Sequence, residues 1–190
     1  MKKFSEIKKV EYLGPNSKEP FSFKYYNPDE VINGKKMRDW LRFAMSYWHT
    51  IDYAGTDMFG GNTGDKTFGE TDPFAIYKAK ADFAFELMDK LSIDLYCFHD
   101  VDIAPEGKTL QESLDNFYTM VDYLEEKQKK YNKRVLWTTA NNFGDKKFMA
   151  GAATSALGDV AAPAINFLSP KLFAVVHKTL LLYFFCFSSR

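Results

Sequence analysis

The stretch "IDLYCFHDVD", residues 93–102, decides how this chain folds. Leu95, Tyr96, Cys97 and Phe98 make an apolar, aromatic run that is too short for a helix and reads as a buried strand. The run stops abruptly at a histidine and two carboxylates, His99, Asp100 and Asp102. A strand places Leu95, Cys97 and His99 on one face, so the titratable cluster stands at the end of a buried element.

Helices flank that strand. Upstream, Asp72 suits an N-cap and Pro73 the first helical position. Ile76, Ala79, Phe83, Leu87 and Leu91 then form an apolar stripe, with Lys78, Asp82, Glu86 and Lys90 on the opposite face. Downstream, "TLQE" (109–112) is a capping box, followed by a stripe of Leu110, Leu114, Phe117, Val121 and Leu124. "KQKK" (127–130) near that helix's end complements its dipole. "KRVLWTTA" (133–140) is rich in strand formers, and "MRDWLRFAMSYWHT" (37–50) reads as helix passing into strand. Strand, helix, strand, helix, strand predicts a parallel sheet with right-handed helical crossovers. In such folds reactive groups stand where strands end and loops begin, which is the position of His99.

The remaining segments are simpler. Residues 1–35 are polar and turn-rich and read as an irregular N-terminal arm. Residues 52–71 carry five of the eleven glycines, and a loop this long without an element of its own points to a functional role. Over the 190 residues, 25 basic side chains balance 25 acidic ones, which favours neither nucleic acid nor an anionic membrane as partner. Two cysteines, Cys97 and Cys186, make no metal spacing and no disulfide framework, and the N-terminus lacks the apolar core of a signal peptide. A cytoplasmic protein is expected.

From the His–Asp spacing, two readings stand side by side. Asp102 can turn back and accept the histidine N–H, fixing the tautomer and making the other ring nitrogen an acid/base group. Alternatively the histidine is simply satisfied and the aspartates cap a loop. His99, Asp100 and Asp102 could also ligate a divalent ion, but the only other histidines are His49 and His177 and no further cluster completes a set. Trp48, Phe59, Trp137 and Phe143 could line an apolar pocket suited to the C–H faces of a sugar, or be core.

Taken together, "FKYYNPDEVINGKKMRDWLRFAMSYWHT" (23–50), "GTDMFGG" (55–61), "CFHDVDIAPEGKTLQE" (97–112), "LWTTANNFG" (136–144) and "MAGAATS" (149–155) resemble xylose isomerase of the longer-chain class. The resemblance covers about residues 10–155. It implies a (β/α)8 TIM barrel that interconverts D-xylose and D-xylulose with two divalent cations, usually Mg2+. Ring opening by proton transfer is followed by a metal-assisted hydride shift between C2 and C1. On this resemblance His99 would open the ring, Asp102 would orient it, Trp48 and Phe143 would wall the sugar site, and Thr139 would lie near the substrate. Phe59 would enter the neighbouring subunit's site, which implies a homotetramer.

The chain departs from that pattern in its second half. The family's metal ligands, its lysine near the substrate oxygen and its "WGGREG"-type motif are missing, so no metal site is expected within this chain. Residues 36–155 are expected to form an incomplete barrel, its first three or so βα units, inactive alone. Residues 156–190 form an apolar tail outside the family pattern and read as the product of a truncated or frameshifted gene. Its "LLLYFFCF" (180–187) is too short to span a bilayer. The alternatives are a non-catalytic fragment that associates with full-length isomerase, or a related sugar isomerase.

Overall fold

A computed structural model describes residues 4–55, 60–61, 63–142, 144–152, 154–158 and 160. The N-terminal arm contains two small pairings. Strands β1 (Glu11–Tyr12) and β2 (Ser22–Phe23) run parallel. Strands β3 (Val31–Ile32) and β4 (Lys35–Lys36) form an antiparallel hairpin. The hairpin turn is Asn33–Gly34 with φ of 50° and 75°, the left-handed pair that a two-residue turn requires. A short helix α1 (Met37–Trp40) leads into strand β5 (Ala44–Ser46) and then a π-helical turn, Trp48–Asp52.

The rest follows the expected alternation: α2 (Pro73–Leu91), β6 (Leu95–His99), α3 (Asp100–Ile103), α4 (Leu110–Tyr131) and β7 (Arg134–Thr139). The caps are those the sequence predicts. Asp72 accepts from Ala75 N–H at 2.8 Å, and Thr109 Oγ1 accepts from Glu112 N–H at 3.2 Å. Glu112 reaches back to the Lys108 N–H rather than to that of Thr109, at 2.7 Å. Lys129 and Lys130 stand in the last turn of α4, as the dipole argument expects.

Strands β5, β6 and β7 form one parallel sheet in that order. The chain is thus α/β with a parallel sheet. One face of the sheet is covered by α2 and α4: Tyr47, Tyr96, Phe98 and Val135 pack with Phe85, Met88, Phe117, Met120 and Leu124 in one core. Tyr96 and Phe98 are fully buried, and the Tyr96 hydroxyl accepts from Gln128 Nε2 at 2.7 Å. A bulge between the pairs Tyr96–Val135 and Cys97–Trp137 leaves Leu136 extra. That one residue sends Val135 and Thr138 to the helix side and brings Trp137 and Thr139 opposite Cys97 and His99.

The α2 stripe is rotated from its expected position. Ala81, Ala84, Phe85 and Met88 are buried, whereas Ile76, Ala79, Phe83, Leu87 and Leu91 are half-buried. Phe83 meets Phe4 and Phe68, at 5.0 and 5.2 Å between ring centroids, so the arm and the glycine-rich loop cover it. Glu86, expected on the solvent side, is buried and accepts the Phe4 N–H at 2.8 Å. The arm is tied to α2 a second time where Val10 N–H donates to Lys90 O at 2.8 Å. In the α4 stripe Phe117, Val121 and Leu124 are buried, while Leu110 is exposed on the first turn. Among the described residues no helix is long and apolar enough to cross a membrane.

Candidate functional site

Parallel strands present their C-terminal ends at one rim, and three neighbouring ends meet there. Ser46 pairs with Cys97, so the next residue on that face of the β5 segment, Trp48, comes beside His99. The Trp48 and His99 rings lie 4.6 Å apart between centroids. On the other side His99 pairs with Thr139, and Trp137 stands 5.3 Å from Trp48. Trp48, His99 and Thr139, remote in sequence, therefore form one short row.

Asp102 is on α3 rather than on a loop, because residues 100–103 continue the strand as one helical turn. Its Oδ2 accepts the His99 backbone N–H at 2.6 Å and lies 3.1 Å from His99 Nδ1. Both side chains are largely buried, 12% and 7% exposed, which keeps water from competing for the contact. A carboxylate is an acceptor only, so the Oδ2–Nδ1 contact is a hydrogen bond in the Nδ1–H tautomer, in which Nε2 is the proton-accepting nitrogen; the His99 side chain also faces the Asp102 backbone N–H, closing a capping box.

Asp100, weighed above as a ligand with these two, is used differently. Its Oδ1 accepts N–H groups from Val101 at 3.0 Å and Asn141 at 2.8 Å, bracing the end of β6 to the chain leaving β7. Burial pushes its carboxyl above the ordinary range, and those two N–H groups pull it back. Among the described residues no group of three or more His, Cys, Asp and Glu side chains is placed to hold a metal ion. His49 is exposed, with its ring tilted beside that of Trp48 instead. His177 lies outside the described residues, as do Phe59 and Phe143.

Cys97, below His99 on the same face, is a free, buried thiol with Sγ 3.6 Å from the Met45 carbonyl. Burial, aided by the Asp102 charge, pushes it up to about 12, so it is inert as a nucleophile. Next to the row, a cleft of about 410 Å3 opens between the segments after β6 and β7, lined by Asp100, Pro105, Thr109, Asn141 and Phe148 among others. Its wall is polar at Asp100 and Asn141 and apolar at Pro105 and Phe148.

Sequence reading missed three residues behind this rim: Asp52, Tyr77 and Lys80. Lys80 Nζ donates to Asp52 Oδ1 at 2.5 Å, and Tyr77 donates its hydroxyl to Val101 O at 3.2 Å. The sequence signal of Tyr77 and Lys80 is polar character at i and i+3 on α2 beside its apolar stripe; Asp52, in the turn after β5, carries none.

No protein-family model matches the chain. Individual proteins do. Over 162 residues, 85% of the chain, it is 51% identical to a xylose isomerase of Actinobacillus succinogenes, covering 37% of that protein. It is 48% identical over 153 residues to the xylose isomerase of an Enterobacter species, covering 80% of the chain and 35% of the relative. A Thermoanaerobacter xylose isomerase is 46% identical over 165 residues, 86% of the chain and 38% of the relative. The chain is homologous to the xylose isomerases. It spans little more than a third of the length of these xylose isomerases.

Proposed function

We propose that the chain is the amino-terminal portion of a xylose isomerase, supplying the first three βα units of a (β/α)8 barrel and the ring-opening part of its site. The observation that carries this reading is the His99–Asp102 pair, seated at the C-terminal rim of a parallel sheet with the Trp48 ring tilted against the imidazole at 4.6 Å between centroids. Opening a cyclic aldose breaks the bond between C1 and the ring oxygen. The anomeric hydroxyl gives up its proton as the C1 carbonyl forms, and the ring oxygen gains one. His99 Nε2 takes the first proton and returns it to the ring oxygen, with no net change at the enzyme. Asp102 holds the ring in the needed tautomer and stabilises its transient charge. Trp48 offers an apolar face to the sugar C–H groups and excludes water, and Thr139 presents a hydroxyl one strand away.

The substrate class is thus a cyclic aldose, D-xylose in first place, with D-xylulose as product. Phe143 as a second wall, and Phe59 as a residue donated to a neighbouring subunit of a tetramer, complete the proposal. Two divalent cations, Mg2+ in first place, belong to this reading. The described residues do not fit a metal centre, so the cations' ligands are assigned to the missing part of the barrel and no step is derived through them. The chain alone is accordingly inactive.

The test is a chimera in which residues 1–155 replace the matching part of the Actinobacillus succinogenes relative. It is expected to convert D-xylose to D-xylulose with added Mg2+, and the isolated chain is not. In the chimera His99→Gln should lower kcat by roughly 10²–10⁴-fold, the size of a lost general acid/base. A folded chimera without turnover, or turnover indifferent to His99→Gln, overturns the assignment.

A further inference from the structure

The row at the rim brings together two segments that are remote in sequence, the turn Trp48–Asp52 and the end of β6 with α3 (Asp100–Ile103). One helix touches both. On α2, Tyr77 donates its hydroxyl to the carbonyl of Val101, the neighbour of Asp102 within α3. One turn later Lys80 donates to Asp52, the residue that closes the π-helical turn opened by Trp48. The Lys80 ammonium also sits 4.6 Å from the Tyr77 ring centroid, so the two contacts stiffen each other.

Lys80 and Asp52 are largely buried, with 12% and 21% of their side chains exposed. A buried ion pair is a poor source of stability, because desolvation offsets the attraction, and an apolar pair would serve a core as well. What the pair supplies is direction: an ammonium reaching a single carboxylate oxygen fixes where the turn ends. Tyr77 does the same for α3 through a hydroxyl that a phenylalanine would lack. The ends of both segments are thereby referred to one rigid helix.

We propose that Tyr77 and Lys80 are positioning residues, a two-point clamp on α2 that sets the approach of Trp48 to His99. Its catalytic meaning rests on the function proposed above; its geometric content does not. An imidazole whose ring centre lies 4.6 Å from that of an indole, tilted by 53°, has its ring protons displaced by the indole ring current, and the displacement falls steeply with separation.

The experiment uses the full chain labelled with 13C-histidine, above the histidine titration range. The Cε1–H signal of His99 is assigned by its disappearance in His99→Gln. Tyr77→Phe and Lys80→Met should each remove most of the ring-current displacement, read as the difference from Trp48→Leu. Lys80→Arg should restore it. Lys78→Met, exposed on the same helix and resting on Tyr123, should leave it in place. If Tyr77→Phe and Lys80→Met lower the unfolding free energy while the signal stays put, the residues are structural only and the clamp is refuted. Should Lys80→Met not fold, Tyr77→Phe, which removes a single oxygen, decides alone. An inactive chimera with the signals moving as expected would refute the isomerase reading and leave the clamp standing. An active chimera with unmoved signals would do the reverse.

Discussion

The two faces of the central sheet are written by the same three strands and the residues that directly follow β5, yet they differ in kind. On the helix-covered face Tyr47, Tyr96, Phe98 and Val135 are at most 2% exposed and touch the side chains of α2 and α4. On the other face Leu95 and Cys97 are buried, but at the rim Trp48, His99, Trp137 and Thr139 are only partly so, and there polar or amphipathic groups outnumber aliphatic ones. The first face holds the sheet to its helices by apolar burial. The second contributes little to that core and holds a histidine, a hydroxyl and two indoles at defined spacings. One strand, β6, serves both because its side chains alternate with period two.

That division can be broken most forcefully at Phe98. Phe98→Ala, one residue from the candidate acid/base, should cost about 3–5 kcal/mol of stability by urea unfolding, as buried phenylalanines do. A loss below about 1 kcal/mol would mean that the helix face does not carry the fold.

A smaller effect is expected at the boundary between the faces. Burial pushes the Asp52 carboxyl up to about 6 from its ordinary 3.8, against the pull of the Lys80 ammonium. A carboxyl raised in the folded state binds more protons there than in the unfolded chain between these two values. Its contribution to stability is therefore present below about pH 4 and is lost as pH rises through about 6. Relative to Asp52→Asn, the wild-type chain should lose up to about 3 kcal/mol across that window. Parallel stability curves for the two proteins would contradict the buried placement.

The smallest effect belongs to the open face. Thr139→Val should change stability by no more than about 0.5 kcal/mol, as substitutions away from packed sites do. A much larger loss would place Thr139 in the core and remove the contrast between the faces.

The alternation of elements, the caps at Asp72 and Thr109, and the pairing of His99 with Asp102 were all legible in the residues. Each depends on neighbours within a few positions. The face of α2 was not. Phe83 and Glu86 follow the helical period correctly, but the period cannot say that Phe4, Phe68 and the arm would cover them. Asp100 was legible as a carboxylate at a strand end, and its use as a brace to Asn141 was not, since the partner is 41 residues away.

By itself, then, the sequence determined a parallel α/β chain with an imidazole and a carboxylate at a strand's end, because apolar period, capping and short-range hydrogen bonding are local properties. Tertiary structure alone decided what stands around that imidazole. The extra residue Leu136 turns Trp137 and Thr139 toward His99. Tyr77 and Lys80 reach Val101 and Asp52 from a separate helix. Register and side-chain reach across elements are set by how whole surfaces pack, and no window of neighbouring residues contains that information.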